Sequence, residues 1–262
     1  WELAEQEATK VLGTDRQSIL SKLFDADYAL NHTPSSDVEV YTYIDGTTPY
    51  NLLIQTTMSS QILMAQSSYG RYQVNGDAKT YSVSGEGPCW ENTFPGIRKW
   101  TYSSEYGVFI AKIKYFFEYT NKVSGTGYRH TINRSFTTNE TLLVRAEARV
   151  QQGNLAGALE DLQMWCKSYD VKETSPMTEL TDTKIRDFYK VSKAARYSNK
   201  TFTPKLHNED MDPAWVISDD KLPYIWCCLH FRRIETMHDG LRLFDLKRYG
   251  IEWTHTIGEE AT

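Results

Sequence analysis

Residues 138–169 read TNETLLVRAEARVQQGNLAGALEDLQMWCKSY, and this stretch decides the fold. Thr138 or Asn139 caps a helix that carries Leu142, Leu143, Ala146 and Val150 at helical spacing. Gly153-Asn154 breaks it, and a second helix follows with Leu155, Ala158, Leu159, Leu162, Trp165 and Tyr169 on one face. Two helices joined by so short a break return antiparallel, as a helical hairpin. The small residues Ala146, Gly153 and Ala158 let the two backbones approach closely.

Upstream, Trp1, Leu3, Ala4, Ala8, Val11 and Leu12 form a helical stripe that stops at Gly13, and Arg16 to Phe24 predicts a second helix. Tyr28-Ala29-Leu30 follows, and the chain turns over 31–36. The pattern loosens between 37 and 135. Val38, Val40 and Tyr41 suggest a short strand, and Tyr50 to Ala65 fits either a helix or a strand. From Ser67 to Tyr106 the chain is dense in Gly, Ser and Asn with aromatics between them, which reads as a long loop, and such loops are often functional. Ala111 to Tyr119 alternates and suggests an extended segment. Downstream, 175–221 is polar, with Pro176, Pro204 and Pro213 as breakers. A last helix begins at Pro223 and runs towards Gly240, and Leu241 to Leu246 follows it. The expected architecture is mainly α: tetratricopeptide-like helical hairpins, long irregular loops and a few short strands, in one domain over 1–262.

The 262 residues carry 29 Lys+Arg against 34 Asp+Glu, a formal charge of −5. That balance argues against nucleic acid as a partner, since such binding needs clustered cations. The aromatic share is high, with 17 Tyr, 10 Phe and 7 Trp. Four scattered cysteines, Cys89, Cys166, Cys227 and Cys228, do not make a disulfide scaffold and read as small buried hydrophobes. The longest uncharged stretch, Gly46 to Gly70, is rich in Thr, Ser and Gln and is no membrane span.

Two stretches together resemble a known family. Glu140-Thr-Leu-Leu-Val-Arg-Ala-Glu-Ala148, then Gly153-Asn154 and Ala158-Leu-Glu-Asp-Leu162, resemble the AEA…GN…AL…L helical pair of the SusD/RagB family. Arg232-Arg-Ile-Glu235, Asp239-Gly240 and Arg242-Leu-Phe-Asp-Leu-Lys-Arg-Tyr-Gly250 resemble its C-terminal signature, with Phe231 standing where a Glu is usual and His238-Asp239 replacing a Phe-Glu. The resemblance covers 1–30 and 138–250 directly. It implies a SusD-like α-α superhelix and a lipid-anchored protein on the surface of the outer membrane of a Bacteroidota-type bacterium. Such proteins capture oligosaccharide, or peptide in the RagB branch, for a SusC-like TonB-dependent transporter, without catalysis. Family members are usually longer, so an N-terminal portion bearing the lipidated cysteine is expected ahead of Trp1, and the membrane is reached only through that anchor.

Sugars are held by aromatic faces stacked on their C–H surfaces, with polar groups taking the hydroxyls. The 37–135 insertion is the expected ligand face. Its candidates are Tyr69, Arg71, Tyr72, Tyr81, Trp90 and Trp100, with Tyr102 and Trp253 behind them. The competing reading is that these rings simply pack the loops onto the helices. Arg232 with Glu235 and Arg242 with Asp245 are each three apart and can bridge across a helical turn, which favours a structural role over an active site. No GxSxG, HExxH, P-loop or GxGxxG occurs, and neither a cofactor nor a metal is expected. His207 to Asp212 has acidic spacing, but Pro213 interrupts any EF-hand. Two other functions stay open: a tetratricopeptide-type scaffold for a protein or peptide, whose 67–106 loops would be dispensable, and a carbohydrate-active hydrolase using two carboxylates.

Overall fold

A computed structural model describes residues 1–31, 44–58, 85–91, 94, 101–104, 107–110, 115–171, 176–190 and 216–251. Its elements run α1 (Glu2–Leu12), α2 (Arg16–Leu20), α3 (Ala26–Asn31), β1 (Asn51–Met58), β2 (Thr101–Ser104), β3 (Gly107–Ile110), β4 (Tyr115–Asn121) and β5 (Thr126–Thr137). They continue through α4 (Thr138–Gln151), α5 (Leu155–Ser168), α6 (Asp182–Phe188), α7 (Leu222–Glu235) and α8 (Arg242–Arg248).

The helical hairpin stands as expected, with its cap one residue earlier. Thr137 Oγ1 accepts from the Glu140 amide at 3.1 Å, and Asn154 Oδ1 accepts from the Gly157 amide at 3.0 Å. Gly153 ends α4 with φ 84°, a left-handed geometry in which a side chain would be strained. Helix α4 is the centre of the packing, and α1, α5 and α7 all lie against it. Its Leu142, Leu143, Ala146 and Val150 are fully buried.

The mainly α expectation is corrected: the chain is mixed α/β. Residues 37–135, read as loops with a few short strands, hold a three-stranded antiparallel sheet in the order β1-β5-β4, and a separate β2-β3 hairpin. The ambiguous stretch from Tyr50 resolves as strand over Asn51–Met58, the extended segment ending at Tyr119 becomes β4, and β2 lies inside the expected loop. The 12-residue β5 was not expected at all. Tyr128, His130, Ile132, Arg134 and Phe136 alternate along it, which is a strand period, and they pair with β4 and β1. The β4–β5 turn is fixed locally: Asn121 Oδ1 accepts from the amides of Val123 and Ser124 at 2.9 and 3.1 Å, and Gly125 sits at φ 68°.

The sheet is pinned to the helices where β5 runs into α4. The Thr138 amide donates to the Tyr50 carbonyl at 2.9 Å, and Thr138 Oγ1 donates to the Lys22 carbonyl at 2.7 Å. The 175–221 region, read as polar connection, contains α6, capped by Thr181. The strand expected at Val38 to Tyr41 lies outside the described residues, as does the acidic stretch from His207 to Asp212.

Candidate functional site

Most charged residues of the two signature stretches face inward, while Glu160 and Lys247 are exposed. Arg145, 1% exposed, forks onto Asp161, 0% exposed, with Nε and Nη2 at 3.0 and 2.7 Å from its two oxygens. Its Nη1 donates to the Gly13 carbonyl at 2.8 Å, which fastens α1 to the hairpin. Arg149 joins Asp161 to Glu5 at 3.0 and 2.8 Å, and its hydrogen bond holds the Glu5 carboxyl below the usual carboxylate range. A second network ties α8 to α4 and α7. Arg232 Nε meets Asp245 at 3.0 Å, Arg248 spans Glu147 and Asp245 at 2.9 and 2.8 Å, and the Tyr249 hydroxyl donates to Glu147.

Of the two expected i,i+3 bridges, the one from Arg242 to Asp245 forms, and the one from Arg232 to Glu235 gives way to other partners. Arg232 turns to Asp245 and Glu140, while Glu235 takes the Trp165 indole at 2.9 Å and the Tyr169 hydroxyl at 2.7 Å. Arg242 stands 3.9 Å from Asp245. Burial pushes the carboxyls of Glu140, Glu147 and Asp161 up against the pull of these arginines.

Trp90 is 6% exposed and stands in the aromatic core. Its ring centroid lies 5.1 Å from Phe94, 5.4 Å from His230 and 5.9 Å from Phe231, and its indole N–H donates to the Gly85 carbonyl at 3.0 Å. It packs the 85–91 segment onto α7, the role the competing reading gave these rings. Tyr69, Arg71, Tyr72, Tyr81, Trp100 and Trp253 lie outside the described residues, and Tyr102 lies on β2. The structure therefore brings no pair of the expected site residues together among those it describes.

What it does form is a double cleft beside the C-terminal end of α5, which the sequence reading missed. One cleft, about 300 Å³, lies between α5 and α2, lined by Gln17, Leu20, Ser21, Phe24, Asp25, Asp27, Lys167, Ser168 and Asp170. The other, about 240 Å³, is lined by Arg16, Gln163, Cys166, Lys167, Asp170 and the 177–180 segment. Lys167 and Asp170 belong to both and form the ridge between them, paired at 3.0 Å.

Each wall is held from behind. Asn139 accepts from the Phe24 amide at 2.9 Å and donates to Ser168 Oγ at 3.1 Å, which fixes the floor of the larger cleft. In the smaller one the Met177 amide donates to Asp170 at 3.0 Å and Gln163 donates to the Leu180 carbonyl at 2.8 Å. The clefts combine apolar floors (Leu20 and Phe24, Met177 and Leu180) with rims of carboxylate, amide, hydroxyl and ammonium groups. Such a rim donates to and accepts from a hydroxyl-rich ligand. Only Phe24 among the lining residues offers an aromatic ring, so hydrogen bonding outweighs stacking here.

A row of polar side-chain pairs runs along the sheet, from buried Thr131 outward. Thr57 and Thr131 are paired across β1 and β5 at 3.2 Å, Asn133 donates to Thr57 at 3.2 Å, and Ser135 donates to Gln55 at 2.8 Å. Among the described residues no group of His, Cys, Asp and Glu is placed to hold a metal, and no helix is long and apolar enough to cross a membrane. Compared with family models, with curated proteins and with solved structures, the chain matches none.

Proposed function

We propose that this chain is a non-catalytic, SusD/RagB-like binding protein that holds an oligosaccharide and delivers it to a partner TonB-dependent outer-membrane transporter. One observation carries the reading. The two stretches that resemble the family are bonded to each other into a buried unit, Glu147 and Glu140 of the hairpin against Arg248 and Arg232 of the C-terminal stretch. A resemblance made of unrelated surface residues would have no reason to interlock.

The same unit supports binding over catalysis. Its Glu140 and Glu147, like Asp161 in the separate Arg145–Arg149 network, are carboxyls that burial raises, held in fixed ion pairs away from both clefts. The double cleft then serves as the ligand site, its carboxylate, amide and ammonium rim taking sugar hydroxyls. The 67–106 aromatics other than Trp90 and Phe94, which are core, remain the proposed stacking face. On this reading the chain works at the cell surface, tethered through a lipid rather than a spanning helix.

Calorimetric titration of an oligosaccharide panel tests this, with wild type and Lys167→Ala compared. Lys167 is on the rim of both clefts and half exposed, so its removal leaves the fold intact. Loss of a hydrogen bond from a charged group is worth about 1.5–3 kcal/mol, so affinity falls roughly tenfold or more. Unchanged affinity in Lys167→Ala would move the site off the clefts. No binding by wild type to any glycan, with binding to a peptide or protein, would replace the reading by the scaffold alternative.

A further inference from the structure

Cys89 and Cys166 are far apart in sequence and meet in the fold. Their Sγ atoms are 3.3 Å apart, while a disulfide bond is about 2.0 Å long, so the sulfurs need to close by only about 1.3 Å. Both are free thiols, 2% and 5% exposed. Cysteine is small and apolar enough to be buried for packing alone, but two further features set this pair apart from Cys227 and Cys228.

The first is access. Cys166 lines the smaller cleft, whereas Cys227 and Cys228 are fully buried inside α7 and line neither cleft. The second is positional control. The Cys89 carbonyl is gripped twice by Thr178, whose amide donates at 2.9 Å and whose hydroxyl donates at 3.1 Å. Thr178 is itself on the wall of that cleft, and Gly87 returns a hydrogen bond to the Trp90 carbonyl at 2.9 Å to close the turn around Cys89. The backbone of Cys89 is thereby fixed opposite α5.

We infer that Cys166 and Cys89 form a redox-active dithiol that accepts oxidising equivalents from a small-molecule disulfide entering the smaller cleft. The Cys166 thiolate attacks one sulfur of the incoming disulfide. That S–S bond breaks, a mixed disulfide forms on Cys166, and the first small thiolate leaves and takes up the proton lost by Cys166. Cys89, having given its proton to solvent, then attacks the Cys166 sulfur. The second small thiolate leaves and is protonated in turn, and the Cys89–Cys166 bond remains. Two protein thiols are oxidised and one small disulfide is reduced to two thiols. The new bond clips the 85–91 segment, and with it Trp90, to α5 at the wall of the cleft. Burial pushes the Cys166 thiol well up, so the exchange is slow at neutral pH and accelerates about tenfold per pH unit while the thiol remains mostly protonated. None of this depends on which ligand the cleft binds.

The test uses glutathione disulfide on the native chain, then an acid quench and maleimide blocking in denaturant, intact mass and peptide mapping. The expected product is lighter by two hydrogen atoms, carries a cross-link between the Cys89 and Cys166 peptides, keeps two blockable thiols and is restored by dithiothreitol. Cys89→Ser should stop at a stable glutathione adduct on Cys166. The oxidised wild type should melt above the reduced form, a readout that needs no variant to fold. Four thiols surviving a large excess of glutathione disulfide at alkaline pH would overturn the inference. A cross-link through Cys227 or Cys228, or an oxidised chain that melts lower than the reduced one, would do the same.

Discussion

Replacing Asp161 by Asn is the sharpest perturbation of the helical frame. Asp161 is fully buried and carries Arg145 in a two-point fork and Arg149 in a third contact. Asparagine keeps the shape but loses the charge, and its NH2 group turns a donor towards guanidinium groups that only donate. Arg149 retains Glu5 and the Gly157 carbonyl. Arg145 retains only the Gly13 carbonyl, so a full charge is left 1% exposed without a counter-ion. Breaking a buried pair in this way costs about 3–5 kcal/mol. In a chain of this size each kcal/mol lowers the melting midpoint by about 2–4 °C, so a fall of roughly 6–20 °C is expected. Thermal melts by circular dichroism read it, with Lys10→Ala as control. That change removes an exposed ion pair to Glu7 and should move the midpoint by no more than about 2 °C. The double change Arg145→Met with Asp161→Leu should recover much of the loss, because both buried charges go together. A midpoint for Asp161→Asn within about 2 °C of wild type would mean that this pair does not hold α1, α4 and α5 together.

Three further outcomes follow from the same structure. His230 is 1% exposed, its Nδ1 is 2.6 Å from the Tyr189 hydroxyl, and burial holds its pKa well below the ordinary 6.5. The unfolded chain then binds the proton first, so stability is flat above pH 6.5 and falls below it by up to about 1.4 kcal/mol per unit, a slope that His230→Gln should flatten in pH-dependent denaturant melts. A Cβ on Gly127 would stand 2.1 Å from the Glu118 carbonyl oxygen, so Gly127→Ala should open the β4–β5 pairing and lose hydrogen-exchange protection over 115–137 while the α4–α5 hairpin keeps its own. A Cβ on Gly157 would press within 2.7 Å of the Asn154 side chain, so Gly157→Ala should disturb the α5 cap and cost about 1 kcal/mol in a urea titration, with no change in slope.

The helical hairpin was legible because its signal is local: Gly153-Asn154 is a break, and the apolar residues on either side keep one period. Helix α1 ended at Gly13 for the same reason, with φ 86° there. The sheet was hidden by composition. Tyr128, His130, Ile132 and Arg134 alternate in position but not in polarity, since β5 offers no clean apolar face, and a strand of that kind is recognised only by its partners. Arg232 misled by proximity. Glu235 is its neighbour on the helix, yet Asp245 reaches it from α8 across the 236–241 turn, and no spacing rule encodes that return.

The site was the least legible part. Trp90 looked like a ligand-stacking ring in a glycine-rich loop, and only the placement of Phe94, His230 and Phe231 around it makes it core. The double cleft joins Arg16 and Asp25 to Lys167 and Asp170, groups some 140 to 150 residues apart, and the hairpin motif on α5 does not include Lys167 or Asp170. The acids at Asp25, Asp27 and Asp170 were visible, but nothing in their spacing placed them around one hollow.

On the function we propose, the chain binds a glycan in the double cleft without transforming it. Calorimetric titration of the wild type with an oligosaccharide panel, with reducing ends assayed in the same cell after equilibration, tests it most directly. Saturable heat for at least one glycan is expected, with no new reducing ends and a weakening of roughly tenfold or more in Lys167→Ala. New reducing ends appearing in proportion to protein and time would contradict it and make the chain a hydrolase.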